Sequence, residues 1–159
     1  TGWSYPALKR YLKGNQADVR QLFITHAHGD HIAALTEIRE AIPEIEVLAA
    51  SQALATNEPL KAGRTFSCGG LTIAVHETPG HAEDGLTFIV TENNSPRFQA
   101  ALVGDALFAG SMGGAPRHFH LAKEKVRQVI LSLADETVIA PGHGPLTQVG
   151  WEKQHNPFF

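Results

Sequence analysis

Apolar side chains recur along this chain in short bursts whose period changes from one burst to the next. Positions 5, 8, 11 and 12 are apolar, which predicts a short amphipathic helix over Tyr5–Lys13. Val19–Thr25 reads as a buried strand. Ile32, Leu35, Ile38 and Ile42 fall at helical spacing, and Pro43 ends that helix. Ile45–Ala49 is the next predicted strand. Thr65–Ser67 and Leu71–Thr78 flank Gly69-Gly70 and predict a hairpin. Leu86–Thr91 and Ala100–Val103 are two further strands, joined through Asn93-Asn94-Ser95-Pro96. Apolar residues at 126, 129, 130 and 133 place a helix over Leu121–Leu133, and Thr137–Ala140 is a last strand before Pro141-Gly142. Strands interleaved with helices predict an α/β (or α+β) fold with helices packed on sheets. No repeat, low-complexity tract or linker interrupts the pattern, so residues 1–159 read as a single domain.

Composition narrows the classes. The 159 residues are 43% hydrophobic and 18% charged, enough for one domain with a core. The net charge is −3, and the 13 Lys and Arg are scattered apart from Lys123, Lys125 and Arg127 on one predicted helix. Without a basic stripe, nucleic acid is not an expected partner. No apolar run is long enough to span a bilayer, so a membrane is not expected either. Cys68 has no second cysteine to pair with. It reads as a small structural residue, and the chain as cytoplasmic. The oligomeric state is open.

The chemistry concentrates in Thr25-His26-Ala27-His28-Gly29-Asp30-His31, which follows a predicted strand and precedes a helical pattern. In open α/β sheets ligands gather at such strand ends. Alternate side chains of an extended segment share a side, so His26 and His28 can reach one ion. Gly29 is expected to let the backbone turn, so that Asp30 and His31 point elsewhere, toward a second ion. Three more segments repeat the form of strand, glycine turn and ligand. They are Thr78-Pro79-Gly80-His81, Val103-Gly104-Asp105 and Pro141-Gly142-His143. Imidazole and carboxylate donors at this density suit zinc, iron or manganese.

Taken in order, these motifs resemble the metallo-β-lactamase superfamily, and within it the short, glyoxalase II-like hydrolases of bacteria. Gly104-Asp105-Ala106-Leu107-Phe108-Ala109-Gly110-Ser111-Met112-Gly113-Gly114, Pro141-Gly142-His143-Gly144-Pro145 and Asn156-Pro157-Phe158-Phe159 resemble that subgroup. The resemblance implies an αβ/βα sandwich. Its opening strands, and the Asp of an Asp-x-Gly whose tail is Thr1-Gly2, are expected ahead of the first residue. It implies two divalent ions, zinc first, with iron or manganese as alternatives. His26, His28 and His81 would hold one ion; Asp30, His31 and His143 the other; Asp105 would bridge them. It implies hydrolysis of a small-molecule thioester or ester by a water activated between the ions, with Asp30 accepting its proton. Asp105 stands where the true β-lactamases generally carry Cys or Ser, which argues against an antibiotic substrate. Arg117 is the one basic residue near the expected glutathione site, and His118 and His120 are candidate substrate contacts beside it. Thr25, Glu83 and Asp84 are expected to orient the ligand histidines. Two other readings stand beside the hydrolase: a mononuclear iron persulfide dioxygenase of related fold, and an inactive metal-binding fragment.

Overall fold

The computed structural model describes residues 5–15, 18–93 and 95–159. Thr1-Gly2 and Asn94, which entered the sequence reading, lie outside the described residues. The chain groups into two compact units, one ending at Leu60 and one beginning at Lys61.

The first unit contains α1 (Tyr5–Gly14), β1 (Gln21–Phe23), α2 (Gly29–Ile32), α3 (Leu35–Ala41) and β2 (Glu46–Leu48). β1 and β2 pair in parallel, Gln21 opposite Glu46 and Phe23 opposite Leu48. Parallel neighbours need a crossover, and α2 and α3 provide it. The strand is shorter than Val19–Thr25, but its ladder extends at both ends. Glu46 N–H donates to the Arg20 carbonyl and Ile24 N–H to the Leu48 carbonyl, each at 2.9 Å. The single helix expected from Ile32 onward is two, because a turn at Ala33-Ala34 separates α2 from α3. The periodic apolar residues still face one way. Ala34, Leu35 and Ile38 bury against Ile24, Ile45, Val47 and Ala49, with Ile32 and Ile42 packed beside them.

The second unit is built on a six-stranded sheet ordered β3 (Thr65–Cys68), β4 (Leu71–Glu77), β5 (Leu86–Glu92), β6 (Ser95–Gly104), β7 (Val138–Pro141) and β8 (Thr147–Gln148). β6 and β7 are parallel, and the other pairings in this sheet are antiparallel. Gly69 (φ 54°) and Gly70 (φ 85°) form the two-residue turn of the first hairpin. Positive φ at both central residues matches the right-handed twist of the strands and explains the Gly-Gly pair. Cys68 closes β3 with its side chain exposed. β6 begins at Ser95, five residues before the expected Ala100, and the β5–β6 pairing shifts register at Thr91/Glu92 to accommodate the longer strand.

The crossover from β6 to β7 runs through α4 (Phe119–Lys125), which continues as a π-helical turn over Val126–Ile130. Leu131 N–H bonds the Val126 carbonyl five residues back, at 2.9 Å. Val126, Ile130 and Leu131 bury against Ala101, Val103 and Ile139 of the sheet and Val149 of α5 (Val149–His155). The sequence pattern missed β8 and α5. β8 is two residues long, and the buried members of α5 are Val149 and the polar Glu152, so no apolar stripe marks the helix. Among the described residues, no helix is long and apolar enough to cross a membrane.

Ile139 is fully buried between sheet and helix, whereas Leu146 is 67% exposed. Ile139→Ala should cost about 2–5 kcal/mol in urea unfolding, and Leu146→Ala should stay within about 0.5 kcal/mol of the parent. Equal midpoints for the two variants would contradict this core.

Candidate metal centre

In the first unit the ligand run starts where the β1 ladder ends. Ile24 is buried, and the chain turns out through Thr25 to His26, which is 3% exposed. His28 keeps an extended backbone (φ −63°, ψ 145°) as the residue that starts α2. His26 and His28 share a side as expected, with ring centroids 4.7 Å apart and edge-on. His31 nevertheless stays close to His26. Its ring centroid lies 4.1 Å from that of His26, nearer than His28. The cause is local. α2 begins at Gly29, and its first turn, closed by His31 N–H to the His28 carbonyl at 2.9 Å, brings His31 back beside the other two rings. Asp30 Oδ2 is 3.4 Å from His31 Nε2. Gly29 is not needed as a left-handed hinge. It has no positive φ, and a Cβ there would meet nothing within 4 Å. Thr25 Oγ1 lies 3.2 Å from His26 Nδ1, where it can accept from a protonated Nδ1 and leave Nε2 for a metal.

In the second unit the direction of the strands gathers the ligands. β4, β6 and β7 run the same way, so their C-terminal ends lie on one edge of the sheet. Gly104 is in register with Pro141, and Gly142 N–H bonds the Gly104 carbonyl at 2.8 Å. Asp105 and His143 therefore leave adjacent strand ends together. Asp105 Oδ2 sits 3.6 Å from His143 Nε2 and 3.5 Å from His81 Nε2. One carboxylate oxygen thus touches two imidazole nitrogens, with Asp105 itself only 8% exposed. His81 follows Gly80, whose φ of 138° and contact with Ala122 of α4 leave no room for a side chain.

His81 Nδ1 lies 3.0 Å from the Gly114 carbonyl. Donation to that carbonyl fixes the tautomer and turns Nε2 toward Asp105. Glu83 and Asp84 were expected in this role, but the acceptor comes from the loop after β6. Gly113 explains why that loop can come so close. A Cβ there would collide with the Asp105 carbonyl oxygen and stand 2.9 Å from His81 Nδ1. Gly113-Gly114 and Asn156 stand in the motifs without revealing these contacts, and no pattern in the chain marks Glu152.

Arg117, His118 and His120 are exposed around the start of α4. None of them belongs to a group of side chains suited to a metal among the described residues. His120 lines a cavity of about 360 Å3 with Phe119, Lys123 and Arg127. His26, His28, Asp30 and His31 of the first unit, and His81, Asp105 and His143 of the second, are the described side chains that can act as metal ligands. Five imidazoles and two carboxylates fit zinc, iron or manganese and contain no soft sulfur donor.

The profile of the Metallo-beta-lactamase superfamily matches residues 1–143. The chain belongs to the metallo-beta-lactamase superfamily. Members of this superfamily are metal-dependent, which the donor set here suits. A probable hydroxyacylglutathione hydrolase of Schizosaccharomyces pombe is 29% identical over 142 residues, covering 87% of this chain and 53% of that protein. The hydroxyacylglutathione hydrolase of Bartonella henselae is 30% identical over 147 residues, covering 86% and 53%. The chain thus spans about half the length of these relatives. Solved structures show the superfamily fold over nearly the whole chain. The B3 metallo-beta-lactamase BLEG-1 superposes with TM-score 0.84 at 28% identity, covering 99% of this chain and 85% of that one. ETHE1 from Myxococcus xanthus gives 0.80 at 26%, covering 96% and 68%. TTHA1623, in a di-iron-bound form, gives 0.75 at 26%, covering 99% and 86%.

The two glycines separate crowding from mere presence in a motif. Gly113→Ala should displace Asp105 and His81 and lower the zinc retained after dialysis by at least about tenfold, the scale of lost ligand orientation. Gly29→Ala should retain zinc as the parent does. Retention by both variants would contradict the close packing at Gly113.

Proposed function

We propose that this protein is a dinuclear metal-dependent hydrolase of a small thioester or ester, of the glyoxalase II kind. The observation that supports it most is Asp105 Oδ2 between the Nε2 atoms of His81 and His143, as a bridging carboxylate requires. His26, His28 and His81 would hold one ion. Asp30, His31 and His143 would hold the other, and Asp105 would serve both. A bound pair of divalent ions supplies polarisation of a carbonyl and a water acidic near neutral pH. The chain's own residues then have distinct tasks. Asp30 accepts the proton of the attacking water. The Gly114 carbonyl keeps His81 in the tautomer that presents Nε2, and Thr25 would do the same for His26 by accepting from its Nδ1. No Ser or Cys nucleophile is needed.

The hydroxyacylglutathione hydrolase relatives favour a thioester, and exposed Arg117, His118 and His120 are the proposed substrate contacts. The second reading, an iron-dependent persulfide dioxygenase, draws on the likeness to ETHE1. That chemistry would use His26, His28, His81 and Asp105 alone. The presence of His31 and His143 favours two ions.

A panel of acyl-thioesters, lactones, a β-lactam and glutathione persulfide decides among these. Thiol release from a thioester, abolished by a chelator and restored by zinc, is the expected result. Oxygen uptake on the persulfide, with no thiol release, would overturn the hydrolase. Asp105→Ala should lower turnover at least about a hundredfold, more than loss of an outer hydrogen bond to a ligand. Full activity in that variant would remove Asp105 from the bridging role.

A further inference from the structure

A buried, fully hydrogen-bonded carboxyl group of the second unit lies outside the ligand set. Glu152 of α5 is fully buried. Its Oε1 accepts from the Thr147 hydroxyl at 2.6 Å. Its Oε2 accepts from Gly110 N–H at 3.0 Å and from Asn156 Nδ2 at 2.8 Å. Asn156 is 5% exposed, and its Nδ2 also donates to the Ser111 carbonyl at 2.9 Å. Phe158 N–H returns to Asn156 Oδ1 at 3.0 Å. One helix therefore grips two consecutive backbone groups of the loop between β6 and α4. A buried carboxylate is costly unless donors surround it, so evolution of a merely stable packing would sooner place an apolar residue here. What the carboxylate adds is direction, because it fixes where Gly110 and Ser111 sit. Three residues on, the same loop presses Gly113 against the Asp105 carbonyl and presents the Gly114 carbonyl to His81 Nδ1.

We propose that Glu152 and Asn156 are positioning residues for the metal ligands His81 and Asp105, acting through the 110–114 loop. This rests on the metal-centre reading above for its consequence, though not for its geometry. Loss of the brace lets the loop drift, frees His81 to rotate, and weakens the ion that His81 and Asp105 share. A Gln at 152 keeps an acceptor for Gly110 and Asn156 and offers its amide to the Thr147 hydroxyl, so it rescues the arrangement.

The test compares the parent chain with Glu152→Ala, Glu152→Gln and Asn156→Ala. Two readouts are followed, cobalt(II) binding by visible absorption and, without metal, the exchange rate of the His81 Nδ1 proton by NMR. Cobalt affinity should fall roughly ten- to hundredfold in Glu152→Ala and Asn156→Ala, with an altered spectrum, and stay near the parent in Glu152→Gln. The Nδ1 proton should exchange faster in the two alanine variants alone. If Glu152→Ala does not fold, Asn156→Ala decides. Parental cobalt spectra, affinity and proton exchange in both alanine variants would overturn the brace. A parent chain that takes up no cobalt while the proton exchange still follows the variants would instead sink the metal-centre reading and leave the brace standing.

Discussion

The parallel pairing of β6 with β7 is the constraint on which the second half of the ligand set depends. Parallel neighbours finish at the same edge of a sheet, so whatever follows each strand is delivered to one place. Gly104 opposite Pro141 sets the register, and the next residues are Asp105 and, two further on, His143. A slip of one residue would turn Asp105 to the other face. α4, which begins the crossover, also closes the back of Gly80 through Ala122, and so places His81. One topological choice thus accounts for three donors from three separate stretches of chain.

The first unit solves the same problem in a different way. Its donors come from seven consecutive residues, and a helix that begins at Gly29 folds the run on itself. The rings of His28 and His31 end with centroids 4.7 and 4.1 Å from that of His26. Packing polar rings this closely, with His26 largely buried, opposes folding in the absence of compensating charge. A cation that binds the folded chain offsets that cost, and binding free energy then becomes folding free energy. The separate hydrophobic clusters of the two units supply the stability against which the donors are held.

Much of this was legible in the chain itself, for identifiable reasons. Strands with apolar runs and the Gly69-Gly70 turn announce themselves, because local sterics determine them. The donors are legible because five of them follow a strand and a glycine, and His26 and His28 open the same run as two of those five. What stayed hidden is what depends on contacts distant in sequence. His31 comes back to His26 because a helix starts inside the motif, which alternation along an extended chain does not foresee. The acceptor for His81 is a backbone carbonyl 33 residues away, and no side-chain type points to it. α5 is held by a buried carboxylate, so apolar periodicity passes over it. β8 is too short to leave a pattern at all.

In the proposed dinuclear centre, seven donors serve two ions through one bridging carboxylate. The most direct measurement is the metal content of the purified protein after growth with zinc, iron and manganese supplied together. About two divalent ions per chain are expected, lost together on titration with a chelator. One tightly bound ion per chain, with no second ion taken up on adding metal, would contradict it.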